Sequence, residues 1–76
     1  MEFIKKYSLK DLYNQIFGKK VRFVSDCEFF PNFDVSCKVF KIYVNNNEIL
    51  FDVKVLSNGK HMTIGSNMKN LRFELL

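Results

Sequence analysis

From residue 19 onward, apolar side chains recur at every second position, in segments separated by short runs rich in Asn and Gly. A period of two is typical of a β-strand with one buried face, because successive side chains point to opposite faces of a sheet. The chain is therefore predicted to form antiparallel strands joined mostly by short connections. Five strands are predicted, at residues 19–25, 35–44, 48–56, 60–64 and 71–76.

One connection is predicted at Asn58-Gly59, the preferred pair for a two-residue type I′ hairpin turn. This turn pairs Val55 with Met62 and Val53 with Ile64, so that apolar residues meet on one face. A slip of one position would turn the apolar face of one strand to water. The turn residues and the alternation therefore agree on one buried face.

A second turn is predicted at the three asparagines, residues 45–47. The preceding strand has one wholly apolar face, formed by Phe40, Ile42 and Val44, which we predict to point inward. A two-residue loop pairs Phe40 with Phe51, whereas a four-residue loop pairs Ile42 with Phe51. Asn tolerates the left-handed backbone, so both loops are compatible with the sequence.

A helix is predicted before the first strand. Ser8 followed by Asp11 is the pattern of a capping box, and Gly18 suits the left-handed residue that ends a helix. The apolar residues between them recur at helical spacing and form one stripe that is expected to cover the sheet. This stripe consists of Leu9, Leu12, Tyr13, Ile16 and Phe17.

These elements predict an α+β, mostly β fold: an N-terminal helix followed by a small five-stranded antiparallel SH3-like barrel. We expect one domain, with the helix and its lead-in at 1–18 and the barrel at 19–76. A long first loop, a tight third connection and a helical turn before the last strand resemble that superfold, which does not specify an activity. A partly open OB-like barrel is the alternative, disfavoured because no helix fits between the third and fourth strands.

Several classes of chemistry lack the residues they need. His61 is the sole histidine, and its spacing from Cys27 and Cys37 fits neither a zinc site nor a catalytic motif. The glycines are isolated, which disfavours a phosphate-binding loop. The acidic residues around position 30 match no calcium or magnesium loop. We therefore expect no enzyme, no cofactor and no bound metal.

The termini and the cysteines bear on location. No segment approaches the roughly 18 apolar residues of a membrane span, and the first residues lack the apolar run of a secretory signal. We therefore expect a cytoplasmic protein that does not bind membranes, with reduced thiols at Cys27 and Cys37.

The leading functional hypothesis is protein binding through the acidic-aromatic loop 26–34. Aromatic anchors ringed by polar groups concentrate binding energy at interfaces, and an acidic rim favours a basic partner. The chain is interpreted as a small non-catalytic inhibitor or adaptor, of the kind that phages or mobile elements encode. Alternatively, the rings fold back and plug the barrel. The predicted protein-binding residues are Asp26, Glu28, Phe29, Phe30, Phe33 and Asp34.

Nucleic-acid binding is the alternative function. The first 22 residues hold six of the twelve Lys and Arg side chains but two of the eight acidic ones. Small barrels bind nucleic acid by combining such cations with stacking rings, although a solvated lysine-rich surface gives the same pattern. A homo-oligomer formed through the terminal strand is a third hypothesis. The predicted nucleic-acid-binding residues are Lys19, Lys20, Arg22, Lys38, Lys41 and Tyr43.

Overall fold

The computed structural model describes residues 1–26 and 33–76. Within these ranges the strands form one antiparallel sheet in the order β1-β6-β2-β3-β4-β5. The helix lies between the first and second strands of the chain. The elements are β1 (Glu2–Phe3), a 3₁₀ helix (Ile4–Lys6), α1 (Leu9–Ile16), β2 (Lys20–Ser25), β3 (Phe33–Asn45), β4 (Glu48–Val55), β5 (His61–Gly65) and β6 (Arg72–Leu75).

The predicted class, mostly β with one short helix, is confirmed, and each of the five predicted strands is present. The prediction of a closed five-stranded barrel is wrong, because the described sheet has six strands and is not closed. The sixth strand is the lead-in pair Glu2–Phe3, which pairs with β6. These residues occupy the edge of β6 that barrel closure would use, so β1 and β5 remain the two edges.

The sheet curves around a core on its inner face. Phe23 of β2 and Phe51 of β4 are fully buried, and their ring centroids lie 5.2 Å apart although β3 separates the two strands. The three principal extents are 27, 26 and 23 Å, far from the proportions of a flat sheet. The other fully buried side chains include Val21, Val39 and Val53.

Helix α1 closes this core, and its predicted ends are confirmed. The Ser8 hydroxyl accepts a hydrogen bond from the Asp11 backbone N–H at 3.2 Å, and Gly18 has a φ of 74° after the last turn. Leu12 and Ile16 are fully buried against the sheet. The rest of the predicted stripe is less covered than expected, because Leu9, Tyr13 and Phe17 remain partly exposed.

A β-bulge at Phe40 reverses the faces of β3. Val39 pairs with Val53, but Lys41 pairs with Asp52, so Phe40 is the extra residue. In such a bulge two consecutive side chains oppose one on the partner strand, and the alternation shifts by one position. The prediction that Phe40 points inward is therefore wrong: its side chain lies on the outer face and is 43% exposed.

Beyond the bulge, Ile42 pairs with Phe51, which is one of the two predicted registers. The pairing continues to Asn45 and Glu48, so the chain turns at two residues, Asn46-Asn47. Both have positive φ, 52° and 62°, the backbone of a type I′ turn. The register is the one predicted for the four-residue loop, and one further pair, Asn45 with Glu48, shortens the loop to two residues.

The turn near Asn58-Gly59 is longer than predicted. Val53 pairs with Met62, two positions away from the predicted register. The Gly59 N–H donates to the Val55 carbonyl at 2.8 Å, and Gly59 has a φ of 69°, which closes a four-residue loop over 56–59. The shift is an even number of residues, so the prediction that Val53, Met62 and Ile64 share one face is confirmed.

Cys37 is an interior residue of β3. Its side chain is fully buried, and its Sγ lies 3.5 Å from the Val21 carbonyl oxygen, to which the thiol donates. Burial raises the pKa of the thiol to about 11, which keeps it protonated and unreactive in the folded state. Cys27, the other cysteine of the sequence analysis, lies outside the described residues.

Among the residues that the structure describes, no helix has the length and apolar character needed to cross a membrane.

Candidate functional site

A row of lysines crosses the outer face of the sheet, the face opposite the core. Lys20 of β2 is directly opposite Lys38 of β3, and Lys38 is directly opposite Lys54 of β4. All three side chains are exposed. Directly opposed residues in an antiparallel pair point to the same face with Cβ atoms about 5 Å apart. We call Lys20, Lys38 and Lys54 the lysine row; His61 of β5, opposite Lys54, extends it.

This arrangement is unfavourable for folding alone. Like charges directly opposite each other on neighbouring strands destabilise a sheet. The ion pairs found within the described ranges involve Arg22 and Arg72, and none involves a member of the lysine row. Three cations therefore lie side by side without a carboxylate bridging them in that part of the chain, an arrangement suited to an anion from outside.

The bulge adds an aromatic ring to this surface. Phe40 lies on the outer face beside the lysine row, and its ring centroid is 5.0 Å from that of His61. Next to the two rings is a cleft of about 250 Å³, lined by Phe40, Asp52, His61, Met62 and Thr63. The site thus combines a row of cations with a partly exposed ring at its end.

Lys41 and Tyr43 extend the same face along β3. The Lys41 Nζ lies 4.8 Å from the centroid of the Tyr43 ring, within the range of a cation–π interaction. The Tyr43 hydroxyl donates to Asp52 Oδ1 at 3.2 Å, and the Thr63 hydroxyl donates to the same oxygen at 2.7 Å. Burial and the Asp52 carboxylate raise the pKa of Tyr43, so its hydroxyl stays a neutral donor.

Arg22 does not join the lysine row as a free cation. Its guanidinium donates to both Asp34 oxygens, at 2.6 and 2.8 Å, and to Glu74 at 3.0 Å. These hydrogen bonds hold the pKa of the Asp34 carboxyl below its usual range. Arg22, a predicted nucleic-acid-binding residue, is thus paired with Asp34, a predicted protein-binding residue. This pairing reduces the charge that each side chain presents to a partner.

The predicted protein-binding set is described only in part. Asp26 is exposed and paired with Arg72 at 3.1 Å, and hydrogen bonds from Arg72 lower the pKa of its carboxyl. Phe33 is half-buried, packs on the core and lines an apolar cavity of about 320 Å³ beside Met62 and Met68. The remaining members, Glu28, Phe29 and Phe30, lie outside the described residues.

The structure brings together four residues of the predicted nucleic-acid set: Lys20, Lys38, Lys41 and Tyr43. The fifth, Lys19, is exposed just before β2, where its carbonyl accepts a hydrogen bond from the Val39 N–H. The set predicted from the sequence did not include Phe40 or His61. Both the pairing of Lys38 with Lys54 and the outward position of Phe40 depend on the bulge, which regular alternation does not predict.

No metal centre is found in the ranges 1–26 and 33–76, where no three His, Cys, Asp or Glu side chains cluster closely enough to hold an ion. What these ranges do contain is a basic surface with one exposed aromatic end. No protein-family model, curated protein or solved structure matches this chain.

Proposed function

We propose that this protein binds nucleic acid on the outer face of its sheet, with the phosphates of the ligand on the lysine row. The observation that carries the proposal is the direct opposition of Lys20, Lys38 and Lys54 on three neighbouring strands, with no carboxylate bridging them in the described residues. Such a row is unfavourable in the free protein and becomes favourable when a polyanion neutralises it.

The dimensions of the row fit a polyanionic chain. Neighbouring strands lie about 4.8 Å apart, so the distance from Lys20 to His61 across three spacings is about 14 Å. A small phosphate-bearing metabolite would cover only part of this length, whereas successive phosphates of a nucleic-acid strand extend along all of it. Because phosphate contacts carry no sequence information, binding through the row alone is expected to be insensitive to sequence.

The protein-binding hypothesis has less support from the described residues. Two of its acidic members, Asp26 and Asp34, are paired with Arg72 and Arg22 within the chain. A basic partner would have to compete with both arginines, and intact ion pairs of this kind attract it weakly. We therefore propose the inhibitor or adaptor function second to nucleic-acid binding.

The strand order supports an open variant of the SH3-like topology. Without the two-residue β1, the order is β6-β2-β3-β4-β5, a meander whose last strand returns beside its first. We propose this assignment for the fold together with the function, because small curved sheets of this kind present one broad face to a ligand.

The proposal predicts a salt-dependent affinity of definite slope. For a labelled single strand of about 15 nucleotides, three neutralised phosphates give a slope of log K against log salt near −2. The affinity then falls about 20-fold between about 50 and 200 mM salt. Fluorescence anisotropy over this salt range measures the slope. The absence of binding at about 50 mM salt would contradict the proposal.

A matched pair of variants assigns the contact to the lysine row. Lys38→Gln removes the central cation and is expected to weaken binding about tenfold at about 50 mM salt, with a shallower slope. Lys10→Gln changes the net charge equally at an exposed position of α1. This helix covers the inner face of the sheet, so Lys10 is not part of the lysine row. A similar loss in both variants would show that net charge alone, rather than the row, attracts the ligand.

A further inference from the structure

We infer that the ligand is single-stranded and that one of its unpaired bases stacks on Phe40. This inference rests on the proposed function and adds the class of nucleic acid and the residue that selects it. Its basis is the juxtaposition, at one end of the lysine row, of an exposed aromatic ring and a cleft of the size and polarity that suit a nucleobase.

The bulge gives Phe40 a position that regular alternation would not. It places Phe40 and Lys41 consecutively on the outer face, opposite the single residue Asp52. An exposed ring thus lies on the same face as the lysine row, two residues along β3 from Lys38. A strand that stacks a base on this ring can place neighbouring phosphates on the row.

The charge of the cleft favours a base over a phosphate group. Asp52 lines the cleft beside Phe40, and its Oδ1 accepts hydrogen bonds from Tyr43 and Thr63. A carboxylate repels a phosphate but accepts hydrogen bonds from the exocyclic amino groups of bases. The phosphates therefore belong on the lysine row, where the charge is positive, and the uncharged ring of a base belongs in the cleft.

Stacking on a protein ring requires a base that is not already stacked in a duplex. Taking a base out of a duplex has a cost in unpairing and unstacking, whereas a single strand offers its bases freely. Removing one aromatic platform from a single-strand binder typically weakens binding by roughly 5- to 100-fold. The Phe40 ring is therefore expected to make the protein bind single strands more tightly than duplexes or strands without bases.

The test compares three labelled ligands of equal length at about 50 mM salt: a mixed-sequence single strand, its duplex, and an abasic single strand. The wild-type protein is expected to bind the single strand most tightly. Phe40→Ala should reduce this affinity by roughly 5- to 100-fold and leave the affinity for the abasic strand within about twofold. Phe40→Tyr retains a ring and should keep the preference for bases.

Phe17→Ala is the matched control, because Phe17 is exposed to a similar extent, 40% against 43%, but lies at the end of α1. It should leave all three affinities unchanged. Equal wild-type affinity for the abasic and the base-bearing strand would overturn the inference while leaving the proposed function intact. An equal loss on both strands in Phe40→Ala would overturn it as well. No binding of any ligand would overturn both.

Discussion

Replacing Phe51 by Ala is expected to leave most of the protein unfolded. The Phe51 ring is fully buried and contacts the Phe23 ring at a centroid distance of 5.2 Å, where β2 and β4 meet across the core. A buried Phe→Ala change costs about 3–5 kcal/mol of unfolding free energy. A chain of this size has a total stability of similar magnitude. Chemical denaturation followed by circular dichroism measures the loss.

Phe40→Ala makes the same chemical change on the outer face. Because its side chain is already 43% exposed, its removal is expected to reduce the unfolding free energy by at most about 1 kcal/mol. The two variants therefore test the assignment of faces directly. Similar losses in both would contradict the placement of Phe51 inside and Phe40 outside.

Replacing all three members of the lysine row by Gln is expected to nearly abolish nucleic-acid binding. At about 50 mM salt, each phosphate contact with a single strand contributes about tenfold in affinity through counterion release. Loss of three contacts therefore predicts a decrease of several hundred-fold. Anisotropy titrations with the same labelled strand measure it.

The triple variant is also expected to unfold at a higher denaturant concentration than the wild type. Two like-charged cross-strand pairs are removed, and such pairs destabilise by about 0.2–1 kcal/mol each. Binding and stability should thus change in opposite directions, which excludes unfolding as the cause of lost affinity. A loss of both would contradict the account of the row.

A second triple variant is the control for net charge. Lys5, Lys6 and Lys10 are exposed in the lead-in and in α1, so their replacement by Gln removes the same charge elsewhere. We expect a much smaller loss of affinity, from the weakened long-range attraction only. Equal losses in the two triple variants would show that the basic N-terminal segment, rather than the row, holds the ligand.

The elements that the sequence predicted correctly are those specified by local residues. Ser8 and Asp11 determine where α1 begins, and Gly18 supplies the positive φ after it. Alternation located all five long strands because each has one buried face. By contrast, the pair Glu2–Phe3 is too short to show alternation. Its pairing with β6, and hence the open sheet, was not predictable from the pattern.

Turns were located correctly, but the loop at Asn58-Gly59 is longer than predicted, and the sequence left two lengths open for the asparagine turn. Asn58 uses its side chain to accept a hydrogen bond from the Lys60 N–H at 2.9 Å, and Gly59 takes the positive φ alone. A single dipeptide thus fits two loop lengths, and the packing of β4 against β5 decides between them. The predicted inward and outward faces of β4 and β5 are still correct, because a register shift of two residues keeps every side chain on the same face.

The functional surface was predicted in part for the same reason. Lys20, Lys41 and Tyr43 are polar positions of alternating strands, so their outward orientation follows from the pattern. Lys38 has the parity of Phe40 and Ile42, so its outward orientation depends on the bulge. Phe40 was assigned to the interior because a bulge in a run of β-formers has no residue signature. Only the pairing with β4 reveals it, through the shift between Val39 and Lys41.

Deletion of Phe40 examines this bulge without altering any other pair. If Phe40 is the extra residue, its removal leaves Val39 opposite Val53 and Lys41 opposite Asp52 in a regular ladder. Both halves of β3 then keep their faces. Deletion of Lys38 is different, because it forces either Cys37 out of the core or Phe40 into the buried position of Val39.

The unfolding transitions of these two deletion variants, measured in denaturant, test whether the bulge places Phe40 on the outer face. We expect the chain lacking Phe40 to retain a cooperative transition, while the chain lacking Lys38 loses it or is far less stable. If the chain lacking Phe40 is instead unfolded or the less stable of the two, the assignment of the bulge to Phe40 is wrong. The outward position of the Phe40 ring in the proposed binding surface is then wrong as well.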